Sequence, residues 1–389
     1  MRSLPKNCPY TVDRIHQTES SRTFVIREND RFGEYPNIFV KCQYVVSSDT
    51  LRAVVLSDSG TGLNQQSTSQ LTRPRRFHGA TWNIASVLAH TINPEHAAPY
   101  IVVTTHCHFD HICGIQSLLD AGVDLTVLAS ARDISYLTPW NHLQEHSLCK
   151  LMHLRAPRYD MKFVEDGSSV TFQINDASVT TSMQIFHTPG HTPDSLSWYD
   201  HETNMLSVGD MLYERESPQS RSGSGGQWAA EPPMPTIFGH DSNLRDWSVS
   251  MHRLLDWVRM ENARIKHGLS ERPMILNDAQ CCEEDDWILI SGTRTNPRVV
   301  LSAAHVTIQT DAESALLDML SFMLRIQLDQ VPRVRVPNSE GKEAMWLWDD
   351  HLKSVGSNTS TAKSRFSVQA PWNIIHQTPR PEDDVEEAG

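Results

Sequence analysis

The sequence predicts an α/β fold. Short β-rich runs alternate with segments of helical periodicity, a βαβ unit is legible by residue 105, and two hairpin patterns follow it. Residues 23–27, 38–42 and 53–56 are rich in β-branched or aromatic side chains and read as strands, closed by the turn chemistry of Ser57-Asp58-Ser59-Gly60-Thr61-Gly62. Residues 81–91 carry Ile84, Val87 and Leu88 at helical spacing, and Tyr100-Ile101-Val102-Val103-Thr104-Thr105 reads as a buried strand. Runs 170–174 and 179–186 flank Asn175-Asp176, and runs 195–199 and 205–208 flank residues 200–204; each pair reads as a hairpin. From Asp241 onward Leu244, Trp247, Met251, Leu254, Leu255 and Val258 mark an amphipathic helix. A second helix should begin at Thr310, with Glu313 three positions on as a capping box, and point Leu316, Met319, Leu320 and Met323 inward. Residues 216–235 hold Ser222-Gly223-Ser224-Gly225-Gly226 and Pro232-Pro233, so a long insertion or lid is expected there.

Composition bounds the function. A chain of 389 residues, 39% hydrophobic and 21% charged, can bury a sizeable core, which excludes disorder throughout. The net charge of -13 comes from 34 basic against 47 acidic residues, and five of the acids lie in residues 381–389. No run of Lys and Arg interleaved with aromatics occurs, so nucleic acid is not expected as a partner. The longest apolar runs fall far short of the roughly 20 residues of a membrane span, and residues 1–10 hold no signal-peptide core. Seven cysteines without the density of a disulfide scaffold favour a reducing compartment, and a cytoplasmic location is expected.

The chemistry concentrates after the strand that ends at Thr105. His106-Cys107-His108-Phe109-Asp110-His111 places four candidate ligands within six residues on the loop leaving a strand's carboxyl end. Imidazole and carboxylate are the donors of catalytic zinc or iron sites. In extended backbone His106 and His108 share a face, while tight curvature can aim Asp110 and His111 at a second point about 3.5–4 Å beyond. Gly190-His191 and Gly209-Asp210 lie downstream at strand ends, where glycine lets the chain turn sharply and project the next side chain. Two histidines, His267 and His305, then compete as a last ligand; His305 follows the strand-like run 299–304, whereas His267 sits in a polar segment past a helix. Cys107, Cys113 and the adjacent Cys281-Cys282 read as packing or surface residues, and His187 as either a supporting or a core histidine.

This pattern resembles the metallo-β-lactamase-fold hydrolases, whose hallmark is His-x-His-x-Asp-His, then Gly-His, Gly-Asp and a final His; the resemblance spans about residues 20–325. It implies a four-layer αββα sandwich with the site at one end of the sheets. It implies a first metal held by His106, His108 and His191, a second by Asp110, His111 and His305, and Asp210 bridging them. The ions would be divalent transition metals, zinc in the first place with iron or manganese as alternatives. Asp58, in Asp58-Ser59-Gly60, matches the family's Asp-x-Gly turn and would hold the metal loop. The chain departs from the family in having Ala304 where many members have Gly, and in a segment lengthened over about 261–296.

On this reading residues 1–330 form the catalytic domain, 331–379 an extension packed on it, and 380–389 a disordered acidic tail. The implied reaction is hydrolysis by a hydroxide held between two ions, with Asp110 orienting it as the catalytic carboxylate. Residues 24–38, Asp210-Met211-Leu212-Tyr213 and 235–243 resemble the acyl-coenzyme A thioesterase subgroup, which makes a small-molecule acyl compound the expected substrate. An iron-dependent dioxygenase, a phosphodiesterase of the same fold and a non-catalytic metal-binding scaffold are the competing readings. No Gly-x-Ser-x-Gly elbow or Walker A loop is present.

Overall fold

A computed structural model describes residues 2–63, 82–174, 177–215, 234–268, 298–336, 344–352 and 363–376. The insertion expected over 216–235 (apart from Met234 and Pro235), Cys281-Cys282, most of the lengthened 261–296 segment and the 380–389 tail lie outside those residues.

Seven strands form the first sheet in strict chain order: β1 (Tyr10–Gln17), β2 (Ser21–Glu28), β3 (Asn37–Val45), β4 (Thr50–Ser57), β5 (Tyr100–Val103), β6 (Leu125–Ser130) and β7 (Met161–Val164). β1 to β4 are an antiparallel meander, and β4 to β7 are parallel. Parallel neighbours need crossovers, and the helices supply them. α1 (Ile84–Thr91) joins β4 to β5, α2 (Phe109–Ile112) and α3 (Ile115–Asp120) join β5 to β6, and α4 (Ile134–Leu137) with α5 (Trp140–His146) joins β6 to β7.

The second sheet runs β14-β13-β11-β10-β9-β8, from β8 (Ser169–Ile174), β9 (Ala177–His187), β10 (Leu196–Asp200), β11 (Met205–Ser207), β13 (Val300–Ser302) and β14 (Thr310–Asp311). Against it lie α6 (Leu244–His267) and α7 (Ala312–Gln327). A third sheet of four short strands, β12 (Thr236–Ile237), β15 (Arg333–Val336), β16 (Met345–Asp349) and β17 (Ser367–Pro371), is followed by α8 (Trp372–His376).

The period-2 pattern of the strands makes the layers. On β2 to β5, Val25, Phe39, Val55, Ile101 and Val103 face the second sheet and meet Met183, Ile185, Leu196 and Trp198. The alternate positions Phe24, Ile26, Val40, Leu56 and Val102 face outward onto Ile84, Val87, Leu88, Ile115 and Leu118 of α1 and α3. On the far side Leu206 and Leu301 pack beneath Trp247, Met251 and Leu254 of α6 and Leu316 and Met319 of α7. The order helix, sheet, sheet, helix is the four-layer αββα sandwich. Trp348, Phe366, Val368 and Ile375 join that last core, so the third sheet widens the outer layer on the α6–α7 side.

The expected start of the second amphipathic helix is one residue early. Thr310 stays paired to Leu301 in β14, and Asp311 caps α7 by accepting the Ser314 N–H at 2.9 Å. Glu313 turns away from the helix end to Arg259 and Arg298, at 3.0 and 2.7 Å, so no capping box forms. Among the described residues no helix is long and apolar enough to cross a membrane.

A buried ion pair joins the two sheets. Lys41 on β3 is 2% exposed and donates to both carboxylate oxygens of Asp200 on β10, at 2.7 and 2.6 Å, and to Glu202 at 2.8 Å. Removing the cation strands Asp200 in the interior, a loss of about 3–5 kcal/mol. Lys41→Met should therefore lower the urea midpoint strongly, while Lys41→Met/Asp200→Asn recovers part of the loss; an unchanged midpoint in the single variant would show that this pair does not tie the sheets.

Candidate metal centre

The site begins where the parallel pair β4–β5 ends, with Ser57 opposite Val103, so that two loops leave the same edge side by side. Asp58 turns the first loop in the left-handed region at φ 63°, with its N–H bonded to the Val103 carbonyl at 2.9 Å. Its carboxylate then accepts from Thr105, from the N–H at 2.7 Å and the Oγ1 hydroxyl at 2.8 Å. The same carboxylate lies 3.1 Å from His111 Nδ1. An imidazole donating there presents Nε2 on its other side. Ser59 adds a second tie, bonding the His111 carbonyl through both N–H and Oγ at 2.8 Å.

These bonds hold the metal loop in two parts. His106 lies in the bend after β5 and His108 in extended backbone just before α2, whereas Asp110 and His111 lie in the short helix α2 rather than in the curved loop expected from the sequence. The helical turn rotates the second pair away from the first and so makes two destinations out of one six-residue motif.

The remaining candidates come from the second sheet. Gly190 precedes His191 between β9 and β10 at φ 147°, and a Cβ there would run into the backbone of Trp247 on α6. The close approach lets the Asn243 N–H reach the Gly190 carbonyl at 2.8 Å and Ser242 Oγ the His191 carbonyl at 2.7 Å. Gly209 holds the turn before Asp210 at φ 55°, with room for no Cβ against Thr105. His305 follows β13 and donates from Nδ1 to the Glu34 carbonyl at 2.7 Å, which leaves Nε2 facing the other ligands. Ala304 is accommodated where many family members have Gly because the left-handed residue of this turn is Val306, at φ 53°.

Two groups of donor atoms result, each within 4.8 Å: His106, His108 and His191, and Asp110, His111, Asp210 and His305. In the first, His108 Nδ1 lies 3.0 Å from His106 Nε2 and 3.1 Å from His191 Nε2. In the second, Asp110 Oδ2 lies 3.3 Å from His111 Nε2 and 3.2 Å from His305 Nε2. Asp210 Oδ2 is 3.5 and 3.4 Å from the same two imidazoles and 3.9 Å from His191 of the first group. A tetrahedral zinc site with bonds of about 2.0–2.1 Å has donor separations of about 3.3 Å. The spacings, the all-nitrogen-and-oxygen donor set and a buried His111 Nε2 with no hydrogen-bond partner fit a pair of divalent cations.

The electrostatics point the same way. Burial, with neighbouring imidazoles, pushes His106 well below the usual histidine range and His108 down to about 3, so both present lone pairs. Burial alone would raise Asp110 and Asp210, but His111 and His305 outweigh it and hold both carboxylates well below their ordinary range. Against burial, those carboxylates raise His111 and His305.

Of the two candidates for a last ligand, His305 joins the second group and His267 ends α6, exposed to solvent. Neither cysteine of the loop belongs to a group: Cys107 is buried, and Cys113 packs with its Sγ 3.5 Å from that of Cys149. His187 bonds the Val164 carbonyl and stands apart. Thr105, Ser59 and the Glu34 carbonyl, which hold the others, carry no sequence signal, because each acts across the fold on a residue 47 or more positions away.

Residues 99–265 match the metallo-beta-lactamase superfamily. Among curated proteins the chain is 30% identical over 209 residues to avaE of Aspergillus versicolor, a candidate transcription factor by its name, covering 53% of this chain and 57% of that protein. It is 27% identical over 168 residues to the acyl-coenzyme A thioesterase MBLAC2 of Gallus gallus, covering 41% of this chain and 52% of that one. The matches thus span only about half the length of these relatives. Among solved structures, an archaeal metallo-beta-lactamase superfamily protein from Sulfolobus tokodaii aligns at 15% identity and a TM-score of 0.42 over 79% of this chain and 86% of that chain.

If both groups hold a cation, metal analysis after reconstitution should give about two ions per chain. His305→Ala should lower this towards one, and His267→Ala should leave it unchanged; the reverse result would put the wrong histidine in the second group. Asp58→Ala, which frees His111 to reorient, should weaken metal binding by about 10–100-fold, read by competition with a chromogenic chelator.

Proposed function

The chain belongs to the metallo-β-lactamase superfamily, and from that membership we propose that it is a metal-dependent hydrolase cleaving a thioester or a related activated acyl bond. One observation supports the reading above the rest: Asp210 Oδ2 stands within 3.9 Å of donor nitrogens of both groups, where one carboxylate would serve two cations. His106, His108 and His191 would hold one ion, Asp110, His111 and His305 the other, and Asp210 would join them. Zinc is the ion that this donor set suits first. Bound there, such a pair would supply a water acidified to a pKa of about 7 and positive charge for a developing oxyanion.

The protein's part is orientation. Asp58 and the Glu34 carbonyl each take an Nδ1–H, so that His111 and His305 turn their Nε2 atoms inward. Between those two imidazoles Asp110 keeps its carboxylate ionised, in a position to accept a proton from a nucleophilic water and pass it on. The walls of the site are the buried ends of the two sheets, where few waters compete for these bonds.

Support for an acyl substrate is the similarity to the MBLAC2 thioesterase, together with a reaction that needs only an accessible electrophilic carbonyl. The acidic balance of the chain and its lack of a basic aromatic run speak against a polynucleotide substrate. In this reading residues 1–330 are the catalytic domain and 331–379 an extension of it, and the protein acts in the cytoplasm.

The test is a panel of short- and long-chain acyl thioesters, a β-lactam and a phosphodiester, offered to metal-reconstituted protein. Thioester turnover is expected, with kcat reduced about 10²–10³-fold or more by Asp110→Asn and Asp210→Asn at unchanged circular dichroism. Phosphodiester cleavage without thioester cleavage would overturn the substrate assignment. One bound iron with oxygen consumption would indicate a dioxygenase instead, and two bound metals with no turnover on any substrate a scaffold.

A further inference from the structure

A concave site lies away from the candidate metal centre, at the opposite end of the first sheet's strands. It is a cleft of about 790 Å³ between the outer face of the first sheet and the C-terminal end of α1. Arg2, Arg14, Arg22 and His90 line it over a floor that includes Phe24 and Tyr44, and no carboxylate is among its lining residues. In a chain of net charge -13 three arginines around one cleft are unexpected from composition.

The arrangement is built by the sheet. Arg14 on β1 pairs with Phe24 on β2, and Arg22 lies two residues before Phe24, so alternation puts all three side chains on one face. Arg22 pairs with Cys42, two residues before Tyr44, and lies over the Tyr44 ring at 4.2 Å, fixed in addition by Asp49 at 2.8 Å. His90, in the last turn of α1, bonds the Ser3 carbonyl from Nε2 at 3.1 Å and so fastens the segment carrying Arg2 over the cleft. Among the described residues neither Arg2 nor Arg14 has a carboxylate partner, and guanidinium groups stay charged at any working pH.

We propose that this cleft binds a small phosphorylated molecule bearing a planar apolar group, the phosphate taken by the arginines and the apolar part laid against the half-buried Tyr44. A cleft of this volume falls within the roughly 300–1,000 Å³ of small-molecule sites. Unneutralised guanidiniums match a dianion, and their planar forks match phosphate oxygens. The site is separate from the candidate metal centre. Ser57, which leads into the Asp58 turn that holds the metal loop, lies six residues along β4 from Leu51, the partner of Tyr44, a span of about 20 Å at roughly 3.3 Å per residue. The inference does not rest on the proposed hydrolase activity.

Isothermal titration with phenyl phosphate and with inorganic phosphate tests it. Phenyl phosphate should bind one per chain, at least about tenfold tighter than inorganic phosphate, a difference of about 1.4 kcal/mol, and equally well before and after chelation of metals. Arg2→Glu/Arg14→Glu changes two exposed side chains, so folding should be kept, and binding should weaken by at least about tenfold; Arg14→Gln should weaken it less. Failure to bind at millimolar concentration, binding unchanged in the double variant, binding lost on chelation, or equal affinity for the two phosphates would each overturn the proposal.

Discussion

The carboxylate of Asp58 is the constraint from which the candidate centre follows. It sits where two parallel strands end together and collects three donors, the Thr105 N–H, the Thr105 hydroxyl and His111 Nδ1. Each bond does a different task. The first two fasten the turn after β4 to the loop after β5, and the third fixes which nitrogen of His111 faces inward. A buried carboxylate with fewer partners would be costly in this setting, so the loop geometry and the charge of Asp58 sustain one another.

The second sheet completes what that latch begins. Its turns must bring His191, Asp210 and His305 to the same edge, and they do so by close backbone approach. Gly190 meets Trp247 of α6, and Gly209 meets Thr105 of the metal loop. Helix α6 therefore shapes the site without contributing a donor atom to it. Ser242 and Asn243, at the start of α6, tie the His191 loop down. The Glu34 carbonyl does the same for His305 from the loop between β2 and β3. Seven donor residues are thus positioned by at least five loops, and the sandwich core of Val25, Phe39, Ile101, Ile185 and Trp198 keeps those loops in register.

The same alternation that builds the core also distributes function over the surface. On β2, Val25 enters the space between the sheets, while Arg22 and Phe24 turn outward to the basic cleft. At one end of the first sheet's strands lie carboxylates and imidazoles suited to cations, and at the other guanidiniums suited to an anion. The separation along β4 lets both exist without neutralising each other.

By itself the sequence determined the local facts. The β-rich runs, the two long amphipathic helices and the packed motif from His106 to His111 are patterns within a few residues, and each has a short-range physical cause in side-chain periodicity or turn chemistry. The pairs Gly190-His191 and Gly209-Asp210 were legible for the same reason, and the family resemblance supplied the αββα arrangement. The tertiary structure decided what depends on distant segments meeting. It places His305 beside Asp110 and leaves His267 exposed at the end of α6. It puts the left-handed residue at Val306, which is why Ala304 can stand where glycine is usual, and it moves the α7 cap from Thr310 to Asp311 because Thr310 is committed to a strand pair. It also recruits Thr105, Ser59 and the Glu34 carbonyl, whose roles leave no trace in residue type or spacing. The physical reason is common to all of these: hydrogen bonds and close backbone contacts between strands far apart in the chain are set by sheet register, which is fixed only when the two faces of each strand are buried together.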